Sequence, residues 1–489
     1  MKQYILTIVA ILSLAACMSK VKSPKMVQHH PPIYPDYIGV TIPVGIAPLN
    51  FDFAGHPFTT MDVVVKGNKG GELHVQGSQA DFDIDKWHSL TEQNQGGDLV
   101  FTVSVLHDGQ WEQYLPFAVH VSHYPLDEWG LTYRRIAPGY EVYSSMGLYQ
   151  RNLANFNETP IFENTQVSGT CVNCHTSNMT NPQQFVFHVR GDHGATMVQQ
   201  GGKREWLKAT NDLLGGSMVY PYWHPSGKYC AFSTNQTRQA FHVVRDERIE
   251  VFDLSSDILV YNPLTHELLS DSLIATSDWS ENVPTFSPDG RTLYFMTCKQ
   301  QEYPAHYKDE KYNLCSISFN PDNGAFGNHV DTLFNAVKMG KSLTWPRPSY
   351  DGKYILFTLI DYGYFSIWHN ESEQWLLDLR TGKAHPLTQA NSRRADSYHN
   401  WSGNSHWIVF TSRRGDGLYS RLYIAHVDDN GKASKPFLLP QRHPWKYECS
   451  SIYSFNTPDF THTPVQFDAY SARQEIMSDK RKETIMKQR

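Results

Sequence analysis

Pro284-Thr-Phe-Ser-Pro-Asp-Gly-Arg-Thr-Leu-Tyr-Phe-Met, residues 284–296, is the stretch that decides the fold of this chain. It joins a Pro-Asp-Gly turn to a run of apolar and aromatic residues. The turn reverses the chain at little steric cost, and the run is typical of a strand buried on both faces. The stretch therefore indicates a tight β-hairpin inside a covered sheet.

The same pattern recurs along the chain. Further copies begin at Pro221, at Pro346 and, in a degraded form, at Tyr398, and another strand-like segment follows each copy. Self-similarity of this size is typical of a β-propeller, whose blades bury their faces against one another in a ring. We expect residues 133–210 and 445–460 to supply one further blade that closes the ring, which gives about five or six blades.

The repeats from about Tyr220 to Pro440 resemble the blades of TolB-type propellers. That resemblance implies a fold and no particular reaction.

The N-terminal part of the chain, residues 33–124, has a different pattern. Runs such as Met61-Asp-Val-Val-Val-Lys and Leu99-Val-Phe-Thr-Val-Ser-Val-Leu alternate with Gly, Asn and Asp turns. This alternation predicts a small β-sandwich of immunoglobulin-like type, without a catalytic grouping. The chain is thus expected to be mainly β, with the sandwich followed by the propeller.

Composition limits the classes of function. The chain has 489 residues, which predicts two or three domains, and 13% of its residues are aromatic. Its formal net charge is -6, which argues against a phosphate-binding surface for nucleic acid.

The N-terminus has the features of an export signal. A short apolar run, Ile5 to Leu14, precedes Leu14-Ala15-Ala16-Cys17, which resembles a bacterial lipobox. Residues 1–17 are therefore interpreted as a lipoprotein signal with lipidation of Cys17, and residues 18–32 as a tether; an ordinary signal cut near Ala16 is the alternative. The interpretation predicts a protein of the cell envelope, on the outer membrane facing the periplasm, whose lipid is its membrane contact.

Cys171-Val-Asn-Cys174-His175 is the motif that indicates a cofactor. Cys-x-x-Cys-His is the attachment signature of c-type haem, in which two thiols bond the porphyrin and the adjacent imidazole binds the iron. We expect one covalent haem c, carried by an insertion within residues 125–215. This segment is also expected to form the first blade, and residues 216–460 the rest of the propeller. A zinc site, a redox-active thiol pair and a small disulfide loop are the alternatives.

The second ligand of the iron is predicted from the strand Phe185-Val-Phe-His-Val-Arg. His188 and Arg190 share one face of such a strand, so they are expected to address the iron and a haem propionate together. Met197 is the second choice, and Met179 and His193 are the other candidates. An ordinary strand histidine bonded to a neighbour is the alternative for His188.

Several other groups carry a structural and a functional interpretation. Cys298 and Cys315 either bridge neighbouring strands or are buried free thiols, and buried thiols are the more common case. Charged side chains near propeller loops either line a ligand funnel or form a solvated rim; these are Arg393, Arg394, Arg413, Arg414 and Asp416. Four histidines recur beside strand starts, either near the channel or as strand caps: His224, His242, His369 and His399. Residues 461–489 are expected to form a charged, solvated tail or helix.

The whole chain resembles a group of Bacteroidetes lipoproteins that combine a β-sandwich, one Cys-x-x-Cys-His motif and a TolB-like propeller. The resemblance rests on Ile33-Tyr-Pro-Asp-Tyr-Ile-Gly-Val-Thr-Ile-Pro, Cys171 to His175 and Ser412-Arg-Arg-Gly-Asp-Gly. The expected function is electron transfer, with a redox partner docked on the propeller. The alternative is a scaffold that binds an envelope protein and carries an auxiliary or sensing haem. A haem enzyme such as a peroxidase requires an open iron position.

Overall fold

A computed structural model describes residues 20–137, 145–208, 216–241 and 247–487 of the chain. The fold is mainly β, with three α-helices, α1 (Ile84–Gln93), α2 (Pro444–Ser450) and α3 (Ala469–Met477). No helix among these residues is long and apolar enough to cross a membrane. The signal segment and Cys17 lie outside the described residues.

The strands divide into an N-terminal set and a propeller set. The N-terminal strands are β1 (Lys25–Met26), β2 (Ile33–Tyr34), β3 (Thr41–Ile42), β4 (Asp52–Phe53), β5 (Thr60–Gly67), β6 (Glu72–Gly77), β7 (Gly97–His107), β8 (Gln110–Gln113) and β9 (Phe117–Val121). The propeller strands are β10 (Gly130–Ile136), β11 (Met146–Asn152), β12 (Glu158–Glu163), β13 (Thr170–Asn178), β14 (Asn181–Gly191), β15 (Ala195–Gln200), β16 (Lys203–Lys208), β17 (Ser217–Trp223), β18 (Cys230–Phe241), β19 (Ile249–Asn262), β20 (Glu267–Leu269), β21 (Trp279–Phe286), β22 (Thr292–Lys299), β23 (Asn313–Asn320), β24 (Ala325–Phe334), β25 (Ser342–Pro348), β26 (Tyr354–Ile360), β27 (Glu373–Asp378), β28 (Lys383–Pro386), β29 (Asp396–Trp401), β30 (Trp407–Ser412), β31 (Arg421–His426), β32 (Phe437–Leu438), β33 (Ser454–Thr461) and β34 (Ile485–Met486).

The N-terminal strands form one seven-stranded sheet and a two-stranded ladder of β2 and β4. The long strand β7 pairs with β5 along one edge, and its other edge is divided between β8 and β9. The expected two-sheet sandwich is therefore not what the strands build, because β7 joins them into one branched sheet. Helix α1, which the strand pattern did not predict, starts where the Asp83 carboxylate accepts the backbone N–H of Lys86.

The propeller has six blades, each built on four antiparallel strands. Blade 1 contains β33 and β10–β12, blade 2 contains β13–β16, and blades 3 to 6 contain β17–β20, β21–β24, β25–β28 and β29–β32. Neighbouring inner strands contact one another in the order β33, β13, β17, β21, β25, β29 and back to β33. The predicted closure by the C-terminal part is confirmed, because β33 is the inner strand of blade 1. The segments 133–210 and 445–460, expected to give one blade, contribute to two.

The repeated Pro-Asp-Gly pattern forms the hairpin between the first two strands of a blade. Gly227, Gly290 and Gly352 all have φ near +70°, a conformation that favours glycine, and in the degraded copy Ser405 has φ 63°. The apolar run after the turn becomes the second strand, and Leu293, Phe295 and Met296 in it are almost fully buried. In blades 3 to 6 these turns join the inner strand to the second strand of the blade.

Each inner strand has a β-bulge at the same position. The register shifts by a residue pair at Cys174-His175, Tyr220-Pro221, Val283-Pro284, Trp345-Pro346, Tyr398-His399 and Thr457-Pro458. The first residue of every pair has positive φ, between 46° and 57°. A bulge bends its strand and redirects a side chain, and the following position takes proline readily where its N–H is not needed by the ladder. The bulge is therefore part of the blade design.

The Cys171-to-His175 motif lies inside β13, a regular blade strand. The sequence-based expectation of an insertion that presents the thiols on a turn is corrected: Cys174 and His175 are the bulge pair of blade 2.

The N-terminal part packs on blades 1 and 6 through one continuous apolar core. Trp407 of blade 6 donates its indole N–H to the carbonyl of Pro125 at 3.0 Å. Part of the expected tether also packs, because β1 pairs with β8 and the N–H of Leu115 donates to the carbonyl of His29. Residues 25–29 are thus attached to the edge of the N-terminal sheet.

The segment after β33 crosses the outside of blades 2 and 3 and is called the C-terminal strap, residues 462–487. In helix α3, Ala472 and Ile476 are buried in the core of blade 2, and Glu475 forms two hydrogen bonds with Arg204 at 2.6 and 2.7 Å. Strand β34 then extends the sheet of blade 3 by pairing with β20. The expectation of a solvated segment is wrong for these residues, because one apolar face of α3 packs into blade 2, whereas the alternative of a helix is confirmed at Ala469–Met477.

Candidate functional site

A cavity of about 310 Å³ lies at one end of the propeller axis. Its lining includes Cys171, Cys174 and His175 together with bulge residues of other blades. Among the six bulge residues of positive φ, five line it: Cys174, Tyr220, Trp345, Tyr398 and Thr457. The bulges therefore direct these side chains toward the axis, where the ring of Trp345 contacts those of Tyr220 and Tyr398 at centroid distances of 5.9 and 4.7 Å.

The two thiols of the motif are free and lie next to positive charge. Cys171 Sγ accepts a hydrogen bond from Arg134 Nη2 at 3.3 Å, and the same nitrogen contacts Met146 Sδ at 3.3 Å. Cys174 is buried, which raises the pKa of its thiol, while the nearby Arg190 guanidinium acts in the opposite direction. Both cysteines therefore remain available as thiols toward the cavity.

His175 is the buried imidazole of this site. It is 5% exposed. Neither of its ring nitrogens forms a hydrogen bond within 3.5 Å among the described residues, and the backbone of Thr132 is the nearby polar group that acts on its pKa. Burial lowers its pKa to about 4, and the charge of Arg134 acts in the same direction. The imidazole is consequently neutral at neutral pH, the form that binds metals.

His399 occupies the equivalent bulge position in blade 6. It is as buried as His175, and its two ring nitrogens likewise have no partner in the described part of the chain. Unlike His175, it is not among the residues that line the cavity, and no cysteine precedes it in β29. The chain thus contains an internal control for the structural role of a histidine at this position.

Four arginines line the cavity, and none of its described lining residues is Asp or Glu. Arg134 and Arg190 lie beside the thiols, whereas Arg347 and Arg413 belong to blades 5 and 6. Burial lowers the pKa of Arg413 to about 9, so the group stays protonated at neutral pH. The site is therefore cationic and rich in aromatic side chains.

His188 does not join this cavity. It is 1% exposed, and its Nδ1 pairs with Thr196 Oγ1 at 3.0 Å. His188 shares a strand face with Val186, which packs toward blade 3, whereas His175 lies on the opposite face, with its ring 6.0 Å from Phe185. The structure therefore does not bring the two predicted iron ligands together.

The remaining candidates for the second ligand are also elsewhere. Met197 is fully buried in the core between blades 1 and 2, Met179 follows β13 with φ 54°, and His193 pairs with Asp479 at 2.8 Å. Arg190, by contrast, does line the cavity, and it lies near the thiol of Cys174.

For several charged groups and thiols, the structure decides between the two interpretations that the sequence left open. Arg413 is 2% exposed and lines the cavity, while Arg414 pairs with Asp396 at 2.8 Å outside it. Cys298 and Cys315 are free and belong to different apolar clusters, so the interpretation as buried thiols is confirmed. His369 lies between Glu250 and Glu371 at 3.2 and 2.9 Å, and His242 lies outside the described residues.

Sequence reasoning missed part of the cavity lining: Arg134, Met146, Tyr220, Trp345, Arg347, Tyr364, Trp368 and Tyr398. A signal for some of them was present, since the pairs Tyr220-Pro221, Trp345-Pro346 and Tyr398-His399 open three of the repeats. Aligning Cys174-His175 with these pairs would have placed the motif on an inner strand.

The donor set fits a c-type haem on its attachment side. Two thiols and a neutral, unpartnered imidazole line one cavity, and guanidinium groups there match the negative charge of propionates. The described residues hold no cluster of three or more His, Cys, Asp or Glu side chains that could hold a metal ion.

No family model and no curated protein matches this chain. Solved structures similar to it include an oligogalacturonate lyase from Vibrio parahaemolyticus, at 10% identity and TM-score 0.33, covering 62% of this chain and 92% of that one. A hypothetical selenium-binding protein from Sulfolobus tokodaii is similar at 9% identity and TM-score 0.40, covering 85% and 96%. Prolyl oligopeptidase B from Galerina marginata is similar at 11% identity and TM-score 0.36, covering 80% of this chain but 54% of that protein. No statement about the chemistry of this chain follows from these likenesses.

The buried histidines predict a specific acid sensitivity. Burial lowers the pKa of His399 to about 3, and the charge of Arg347 adds to the effect. Because this folded-state pKa is below the unfolded value of about 6.5, the unfolded chain binds the extra proton, and stability is lost as the pH falls from about 6.5 toward 3. His399→Gln is expected to reduce the loss of unfolding free energy between pH 7 and pH 5 by about 2 kcal/mol.

Urea unfolding at the two pH values measures this difference, with His329→Gln, an exposed histidine, as the control. Equal pH dependence in His399→Gln and the wild-type chain would contradict the prediction.

Proposed function

We propose that this protein carries one covalent haem c in the axial cavity and serves in one-electron transfer. Cys171 and Cys174 would form the two thioether bonds, and His175 would bind the iron. The single observation that supports the proposal is that both thiols and an unpartnered neutral imidazole line the same cationic cavity.

The chain's own residues supply the setting for this group. Tyr220, Trp345 and Tyr398 form an aromatic floor that limits water at the axis, and Arg190 adds positive charge near the thiols. When bound, the haem supplies reversible exchange of one electron, at a potential that its ligands and surroundings tune. A redox partner would dock at the end of the propeller on which the cavity opens.

The proposed location is the cell envelope, with lipid on Cys17 and the protein facing the periplasm. The sequence of the signal segment supports it, and haem attachment outside the cytoplasm agrees with it. An envelope scaffold with an auxiliary or sensing haem is the second candidate, and the propeller fold supports a binding role of this kind.

Haem staining of a denaturing gel tests the proposal. The full chain, produced with a haem-attachment system, is expected to stain and to gain the mass of one haem, and Cys171→Ser with Cys174→Ser is expected to lose both signals. Cys298→Ser with Cys315→Ser removes two buried thiols outside the site and is the matched control. Persistent staining of the first double variant would refute the assignment of Cys171 and Cys174. A wild-type chain without haem would refute electron transfer and favour the envelope scaffold.

A further inference from the structure

The ring order of the blades places blade 5 opposite blade 2. Three inner-strand steps separate β13 from β25 in either direction around the ring of six. Cys171 and Cys174 belong to β13, and Trp345 and Arg347 belong to β25. The cavity therefore has a thiol wall on blade 2 and, across the axis, a wall of aromatic and arginine side chains.

The wall across from the thiols carries two buried cations. Arg413 contacts the Trp368 ring face, with Cζ 3.4 Å from the centroid, and Arg347 contacts the Trp345 ring at 4.2 Å. Arg413 donates from Nε to the carbonyl of Ile367 at 2.6 Å and from Nη1 to the carbonyl of Leu418. Arg347 donates from Nη1 to the carbonyl of Pro346 at 2.9 Å.

Both arginines keep donors for a ligand. Nη2 of Arg413 and Nε and Nη2 of Arg347 have no hydrogen-bond partner among the described residues, although the two side chains are 2% and 5% exposed. The carboxylates of Asp416 and Asp459 act on the pKa of Arg413 and Arg347 through charge, without a hydrogen bond to either guanidinium. Buried guanidinium groups with free donors are suited to carboxylates, which accept two parallel hydrogen bonds. Stacking on Trp368 and Trp345 fixes the orientation of both groups.

The propionates of haem c are carboxylates that could accept hydrogen bonds from these donors. Its thioether bonds form at one edge of the porphyrin, and its two propionates extend from the opposite edge. Resting on the function proposed above, we propose that Arg413 and Arg347 bind the haem propionates, while Cys171 and Cys174 hold the other edge. Arg134 and Arg190 lie beside the thiols and would neutralise no propionate in this orientation.

Reversible binding of two haem probes tests the orientation. The full-length chain with Cys171→Ser and Cys174→Ser is titrated with haemin and with haemin dimethyl ester, whose propionates carry no charge. Haemin is expected to bind at least about tenfold more tightly than the ester, as charged hydrogen bonds of this kind require. Adding Arg413→Gln or Arg347→Gln is expected to remove most of that difference by weakening haemin alone.

The control is Arg380→Gln, a substitution in blade 5 at a side chain that is 84% exposed. It should leave both affinities unchanged. Equal binding of haemin and its ester, unaffected by either cavity arginine, would overturn the orientation while leaving haem binding itself intact. Absence of haem from the wild-type chain would instead overturn the proposed function.

If the chain without Cys171 and Cys174 does not retain haemin, the reduction potential of the protein with covalent haem tests the same proposal. Loss of a positive charge near the haem favours the oxidised iron, so Arg413→Gln is expected to lower the reduction potential relative to Arg380→Gln, with covalent haem still present. Identical potentials in the two variants would contradict the proposal.

Discussion

His175→Ala is expected to reduce the covalent haem content of the protein by more than about tenfold, the loss that follows from disturbing even an outer partner of a metal ligand. Among the described residues, His175 is the one histidine that lines the cavity, and neither of its ring nitrogens forms a hydrogen bond there. Its removal would take away the imidazole that we propose as the ligand of the haem iron. The haem remaining on the chain is expected to show the absorption spectrum of iron with a changed ligand.

His399→Ala is the matched control for this variant. The two histidines follow the bulge residue in equivalent strands and are similarly buried, at 5% and 1% exposure. Both substitutions should therefore cost similar folding stability by leaving a cavity, but only His175→Ala should lose haem. Equal haem content in the two variants would show that His175 serves the fold alone.

Removal of residues 462–489 is expected to lower the free energy of unfolding by more than about 5 kcal/mol. The C-terminal strap buries Val465, Ala472 and Ile476 against blade 2, and truncating one large buried aliphatic side chain alone costs about 2–5 kcal/mol. The truncation also removes the carboxylate of Glu475, to which Arg204 donates two hydrogen bonds. Thermal and urea unfolding measure the effect.

Two point variants in helix α3 show whether burial explains the loss. Ile476→Ala should cost about 2–4 kcal/mol, and Tyr470→Ala, at a side chain 66% exposed, should be nearly neutral. A truncated chain that unfolds at the wild-type temperature would show that blades 2 and 3 need no strap.

The architecture of the propeller could be predicted from the sequence because its hairpins are local. Gly227, Gly290 and Gly352 adopt the positive φ that their turns require, and the apolar runs after them become buried second strands. The sequence predicts about five or six blades and not an exact number, since blade 1 takes its inner strand from β33, about three hundred residues beyond β11 and β12 in the chain. Pairing over that separation leaves no local pattern.

The thiol and imidazole side of the candidate site was predicted from the sequence, but the second iron ligand was not. Cys171, Cys174, His175 and Arg190 do line one cavity. The choice of His188 followed from alternation within β14, which gives no sign of the bulge at Cys174-His175 in the neighbouring strand β13. A bulge changes the face of every later residue in its strand. His175 consequently lies on the opposite face from His188, although both belong to the same blade.

By itself, the sequence determined the repeated hairpins, the spacing of the thiol–imidazole motif and which strands are buried on both faces. Turn geometry and apolar periodicity act over a few residues, so these features are local. Only the tertiary structure decided that Cys174 and His175 form an inner-strand bulge, that Trp345 and Arg347 lie across the axis from the thiols, and that residues 462–487 pack as a strap. These features depend on closing six blades into a ring, which brings together side chains that are distant in the chain.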